Sequence, residues 1–171
     1  MVQLSNWKYD QSITENYILA LEYKDSLEKI SKILIKEYKE LREFSKTPFD
    51  CETALNIDKV EKYEAVKHNR NTEASVDMAF AVKNNKEIKF VLCELKLNSR
   101  NVNNIKHFNI FNKYIHSKNY FSCKHSIYKH IYVILNDKVG LERARNLLAR
   151  RNKNIPIKTC NIDSLHKEFF V

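Results

Sequence analysis

Two apolar segments constrain this chain more than anything else in it. Ala74–Val82 (ASVDMAFAV) and Ile88–Leu97 (IKFVLCELKL) are nine and ten residues long and are joined by five polar residues, KNNKE. Segments this short and this apolar read as buried strands, and a polar joint of that length folds them into an antiparallel hairpin. Each carries an acid where a strand should be apolar: Asp77 in the first and Glu94 in the second, with Lys96 two places on. A buried carboxylate needs a counter-charge, a set of hydrogen bonds or a metal.

Side chains alternate along a strand, so Glu94 and Lys96 share a face with Ile88, Phe90 and Leu92. Asp77 shares its face with Ala79 and Ala81, and Val76, Met78, Phe80 and Val82 form the other. With Asn85 and Lys86 at the tip, Asp77 stands opposite Glu94, Ala79 opposite Leu92 and Ala81 opposite Phe90; with Asn84 and Asn85 at the tip the pairing shifts by two and the faces are unchanged. Small residues then meet large ones. Slipping the pairing by one residue would separate the acids and spoil that match. Two like charges so close repel, and a divalent cation reverses the repulsion. Oxygen-only ligands suit Mg²⁺ or Mn²⁺, which keep waters and take substrate phosphate oxygens. The alternative reading is a cross-strand ion pair between Asp77 and Lys96 with Glu94 solvated.

The chain has 171 residues, one Gly and a formal charge of +9. Its length suits one domain spanning 1–171. A single glycine excludes the glycine-rich phosphate loops of nucleotide-binding enzymes. The positive charge makes nucleic acid the first partner to consider, because basic side chains release counterions from phosphate. Four scattered cysteines without a CxxC pair fit a reducing, cytoplasmic setting. No membrane segment or export signal is expected.

Ser12 and Glu15 form a capping-box pattern, and apolar spacing extends helix to about Phe44, as one helix or two joined. Val60–His68 is expected as a first strand after a connection at 45–58. The hairpin follows, then a helix to about Ser117, a strand Ile127–Leu135 and a helix to about Arg151 capped by Asn136-Asp137. A strand Pro156–Ile162 and a helix to Phe169, capped by Asp163 or Ser164, complete the order. A three-strand meander followed by alternating helix and strand predicts a mixed α/β sheet with helices on both faces. An N-terminal helix region (12–44), a core (60–135) and a C-terminal helix–strand–helix extension (136–171) follow from it.

Asp77…Glu94-Leu95-Lys96 resembles the Asp…Glu-x-Lys signature of the PD-(D/E)xK, or restriction-endonuclease-like, nucleases. The expected α-β-β-β-α-β order over about residues 12–135 resembles that family's core. The resemblance implies metal-dependent hydrolysis of phosphodiester bonds in DNA. Asp77 and Glu94 would be ligands of Mg²⁺ or Mn²⁺, and Lys96 the catalytic lysine. Val76 stands where the family's name has proline. Family members often carry a metal-reaching acid on the first helix, and Glu28 is its match here. They often add a polar residue from the helix after Glu-x-Lys, for which Lys106 and Asn109 are candidates. Many act as homodimers, although this chain has no readable dimer face. An inactive domain that binds nucleic acid or a protein partner is the alternative, and RNA remains open beside DNA.

Candidate phosphate contacts are Arg70, Arg100 and Lys106, with His68, Lys118, Lys124, Lys129, Arg150 and Arg151, and candidate stacking groups are Tyr114, Tyr120 and Phe121. His107, His116, Cys123, His125 and His130 lie within 24 residues but match no familiar zinc spacing.

Overall fold

In the computed structural model, residues 6–38, 40, 47–105, 107–121 and 125–171 are described, the side chains of 107 and 108 excepted. The expected hairpin is there. Strand β4 (Met78–Lys83) pairs antiparallel with β5 (Ile88–Lys96), with Ala79 opposite Leu92 and Ala81 opposite Phe90. Asn84 closes the turn: its N–H donates to Glu87 O, and its Oδ1 accepts from the N–H groups of Lys86 and Glu87. The register is the one that matches small residues to large.

Around the hairpin lies a seven-stranded mixed sheet. Strands β2 (Leu27–Lys29) and β3 (Thr53–Asn56) extend it antiparallel on the β4 side, and β1 (Lys8–Tyr9) pairs with the far end of β4. On the β5 side, β6 (Ser126–Leu135) and β7 (Ile157–Cys160) run parallel. Helix α5 (His107–Lys118) connects β5 to β6, and α6 (Leu141–Arg151) connects β6 to β7. The described helices cover both faces. Leu55, Ala79, Ala81, Phe90, Leu92 and Ile131 pack under Tyr17, Val60, Ile110 and Leu148 from helices on one face or their flanks. Met78, Phe80, Val91, Cys93 and Tyr132 pack under α3 (Ile30–Glu37) and α7 (Ile162–Phe169) on the other. Truncating a fully buried ring such as Phe80 or Phe90 would cost about 3–5 kcal/mol. Among the described residues no helix is long and apolar enough to cross a membrane.

Three sequence expectations are corrected. The long N-terminal helix is broken. Asp10, not Ser12, caps α1 (Gln11–Glu15), accepting from Ile13 N–H. A second short helix, α2 (Ile18–Glu22), follows, and then Leu27–Lys29 leaves helical geometry to pair with β3. Pairing to a sheet here overrides local helix preference. The end near Phe44 lies outside the described residues.

Val60–His68 is not a strand. It belongs to helix α4 (Ile57–Lys67), and the first meander strand is Thr53–Asn56 just before it. Asn56 ends that strand and caps the helix by accepting from Lys59 N–H at 3.1 Å. Ile57, Val60, Glu61 and Ala65 form its buried side, a helical spacing.

The last two helices start on different residues from those expected. Gly140 precedes α6, while Asn136 donates to the carbonyls of Leu97 and Ser99. Asn161 caps α7 by accepting from Ser164 N–H.

Candidate active site

Glu94 and Lys96 stand at the carboxyl end of β5. The pleat that turns Phe90 and Leu92 toward α5 turns Glu94 the same way, and Glu94 is completely buried. Lys96 Nζ lies 2.6 Å from Glu94 Oε1. Lys113, reaching in from α5, places Nζ 2.9 Å from Oε1 and 3.1 Å from Oε2. The two lysine side chains are 24% and 20% exposed, so the cluster meets solvent on its ammonium side.

Asp77 arrives from the other strand, and the pleat does not hold it. Regular pairing of β4 with β5 ends at Met78, and Val76 packs in the layer of Ala79 instead of that of Met78. The Asp77 backbone is pinned on both sides: its N–H donates to Cys93 O and its carbonyl accepts from Ile57 N–H, each at 3.1 Å. Its Oδ2 accepts from Leu95 N–H at 2.5 Å, and the residue is 8% exposed. Burial pushes its carboxyl pKa well up, and the charge of Glu94 adds to the rise. Lys113 and the Leu95 N–H oppose that rise without cancelling it, and Asp58 reinforces it. Burial disfavours the Lys113 ammonium, yet the charges of Glu94 and then Asp77 leave its pKa raised.

The structure therefore brings Asp77, Glu94 and Lys96 together and adds two residues that sequence reasoning missed. Lys113 lies on the buried stripe of α5 with Ile110, Tyr114 and Ser117, and a lysine on an apolar stripe was the available signal. Asp58, in the first turn of α4, accepts from Ser75 Oγ at 2.6 Å, which ties it to the segment entering Asp77. The sequence reading puts it at the end of the connection 45–58, whereas it stands in the first turn of a helix.

Glu28 is placed elsewhere. It is on β2 opposite Ala54, whose side chain packs in the layer under α3 and α7, so Glu28 faces away from Glu94. Its carboxylate takes Asn56 Nδ2 at 2.6 Å, Lys59 Nζ at 3.1 Å and Lys32 Nζ at 3.4 Å. Burial alone would raise its pKa, but these donors leave it lowered. Arg70 is engaged by Glu61, with Nη1 2.6 Å from Oε1 and Nη2 3.2 Å from Oε2. Glu61 is itself buried and also receives His116 Nε2 and Glu73 N–H, each at 2.6 Å, and the Tyr120 hydroxyl. His68 pairs with Glu64, and Phe121 is fully buried in the core. Arg100 is 82% exposed on its side chain. Asn109 is exposed one turn before Lys113 on α5. Lys106, Cys123 and Lys124 lie outside the described residues, as does the His107 side chain.

Asp77 and Glu94 are hard oxygen donors of the kind magnesium and manganese take. A buried carboxyl whose pKa is raised by a neighbouring carboxylate is stabilised as an anion by a dication, so the donor chemistry fits. Among the described residues no group of three or more His, Cys, Asp or Glu side chains is arranged to hold a metal. A cation here would complete its shell with water and phosphate oxygens. Comparison with protein-family models, with curated proteins and with solved structures found no match to this chain.

Proposed function

We propose that this chain is a metal-dependent nuclease of the PD-(D/E)xK type that hydrolyses phosphodiester bonds in DNA within a reducing, cytoplasmic compartment. One observation carries the reading. Asp77, Glu94 and Lys96 converge at the carboxyl end of a buried strand, with Glu94 completely buried and Asp77 held in an environment that resists its charge. Carboxyl ends of strands are where mixed sheets place ligands, and perturbed carboxyl groups concentrate at functional sites. The net charge of +9 suits a polyanionic substrate.

A divalent cation held by Asp77 and Glu94 would polarise the scissile phosphate and acidify a water. The protein's own residues supply the rest. Leu95 N–H fixes the Asp77 carboxylate, leaving its other oxygen for a ligand. Lys96, near solvent beside Glu94, would orient the attacking water and offset the negative charge that develops on the phosphate. Lys113 sets an ammonium against both oxygens of the buried Glu94 carboxyl.

Cleavage of supercoiled plasmid with Mg²⁺ or Mn²⁺, against chelator, tests the proposal. Wild type should nick or linearise DNA only with metal, and Asp77→Ala, Glu94→Ala and Lys96→Ala should each lose that activity while keeping the wild-type circular-dichroism spectrum. Metal-independent cutting, or full activity in any of the three, would refute it.

A further inference from the structure

The second helical crossover carries a feature that the catalytic cluster does not use. Seven of the 30 basic residues are arginine, and four of the seven, Arg143, Arg145, Arg150 and Arg151, fall in α6. Lysine dominates elsewhere, so guanidinium groups are concentrated in one helix. Packing does not require them: α6 is anchored by Ala144 and Leu148, with Leu141 and Leu147 partly buried. All four arginines are exposed, and none makes an ion pair or side-chain hydrogen bond among the described residues. Arg70, by contrast, is held by Glu61. Glu142 is the one acid on the helix.

The position is informative as well. Lys96 on β5 pairs with Leu135 on β6, so α6 begins beyond the sheet end that carries Glu94 and Lys96. Asn136 ties that connection to Leu97 and Ser99, just past the site. Beside the helix runs an open groove of about 420 Å³ lined by Asn103, Glu142, Arg143, Asn146, Leu147 and Arg150. Arg143 and Arg150 are two turns apart along it, about 10.5 Å.

We propose that the face of α6 bearing Arg143 and Arg150 grips the phosphate backbone of duplex DNA and feeds the duplex to the adjacent site. The inference rests on the nuclease reading in naming DNA as the polyanion. Unpaired guanidinium groups match phosphate oxygens bidentately, as ammonium groups do not. Among the described residues the exposed large hydrophobic ones are Ile18, Leu21, Tyr63, Val66, Phe111, Ile115 and Val171, none on α6. The face therefore lacks the apolar wedge that seats a basic helix in a bilayer.

Fluorescence anisotropy with a labelled mixed-sequence duplex, in chelator so that no cutting occurs, provides the test. Arg143→Gln/Arg150→Gln should weaken binding about tenfold or more and lower the slope of log K against log salt by about 2. Arg145→Gln alone, on the opposite flank of the helix, should leave affinity within about twofold of wild type, and the double variant should keep wild-type thermal stability. Unchanged affinity and slope in the double variant would overturn the proposal. So would wild type that binds phosphatidylglycerol vesicles in preference to duplex, or that binds no duplex at all. Wild type that binds through these arginines yet cuts nothing would uphold the surface and remove only the nuclease reading.

Discussion

Two buried acidic centres lie along the seam where α4 and α5 meet the sheet, and they are built in opposite ways. At Glu61, Arg70, Glu73 N–H, His116 and Tyr120 all converge on one carboxylate. Burial would raise its pKa, but those donors bring it down to about 2. At Asp77 burial and the charge of Glu94 outweigh the charge of Lys113 and one backbone N–H, and the carboxyl pKa rises. The first centre is complete as it stands and fastens the segment 70–76 to α4 and α5. The second is under-supplied with donors in a region that is otherwise well packed. A carboxyl left in that state points to a ligand not supplied by the chain.

Altering each centre in turn should separate activity from stability. The largest effect is expected at the under-supplied one: Glu94→Gln or Lys96→Ala should lower metal-dependent cleavage at least about 100-fold in a plasmid assay. A loss confined to KM would break the assignment of Lys96 to the reacting phosphate. Glu61→Gln should act on stability, costing about 2–3 kcal/mol and lowering Tm by roughly 4–12 °C in calorimetry.

The pH dependence of the two centres should also have opposite sign. Glu61 is depressed in the folded state, so its contribution is full above the ordinary carboxylate range and is lost as pH falls toward about 2. Glu61→Gln should therefore flatten the acid limb of the Tm profile. Asp77 is raised, so its contribution is full below the unfolded pKa and is lost as pH climbs through the folded one. Asp77→Asn should accordingly stabilise the protein at neutral pH, by about 1 kcal/mol, while abolishing cleavage. A destabilised Asp77→Asn would contradict the contrast between the centres. The smallest effect is expected at Glu28, which faces the other side of the sheet: Glu28→Gln should cost about 1 kcal/mol and leave cleavage within about twofold of wild type.

The sequence made the hairpin legible because its register is written in side-chain size, Ala79 against Leu92 and Ala81 against Phe90. That register brought Asp77 near Glu94, although the last contact comes from Leu95 N–H and not from the pleat. The N-terminal half was less legible for a physical reason. Leu27–Lys29 has no strand signal of its own and becomes a strand by pairing with Thr53–Leu55, some 26 positions away. Once that pairing was missed, Glu28 was read as a helix residue aimed at the site, and Val60 was assigned to a strand. Lys113 leaves a trace as a lysine on the apolar stripe of α5, whereas Asp58 reaches the cluster through tertiary packing that no local pattern records. The Glu61 network escaped notice for the same reason, since its members come from α4, the segment after it and the end of α5.

The central claim is that Asp77 and Glu94 together form a divalent-cation site. Calorimetric titration of Mn²⁺ into wild type and into Asp77→Asn, at two pH values, tests it most directly. Wild type should bind with proton release and more tightly at the higher pH, because the raised Asp77 carboxyl must ionise to take the metal. Asp77→Asn should bind at least about tenfold more weakly with no such pH dependence. Equal affinity in the two proteins, or no binding to wild type, would contradict the account.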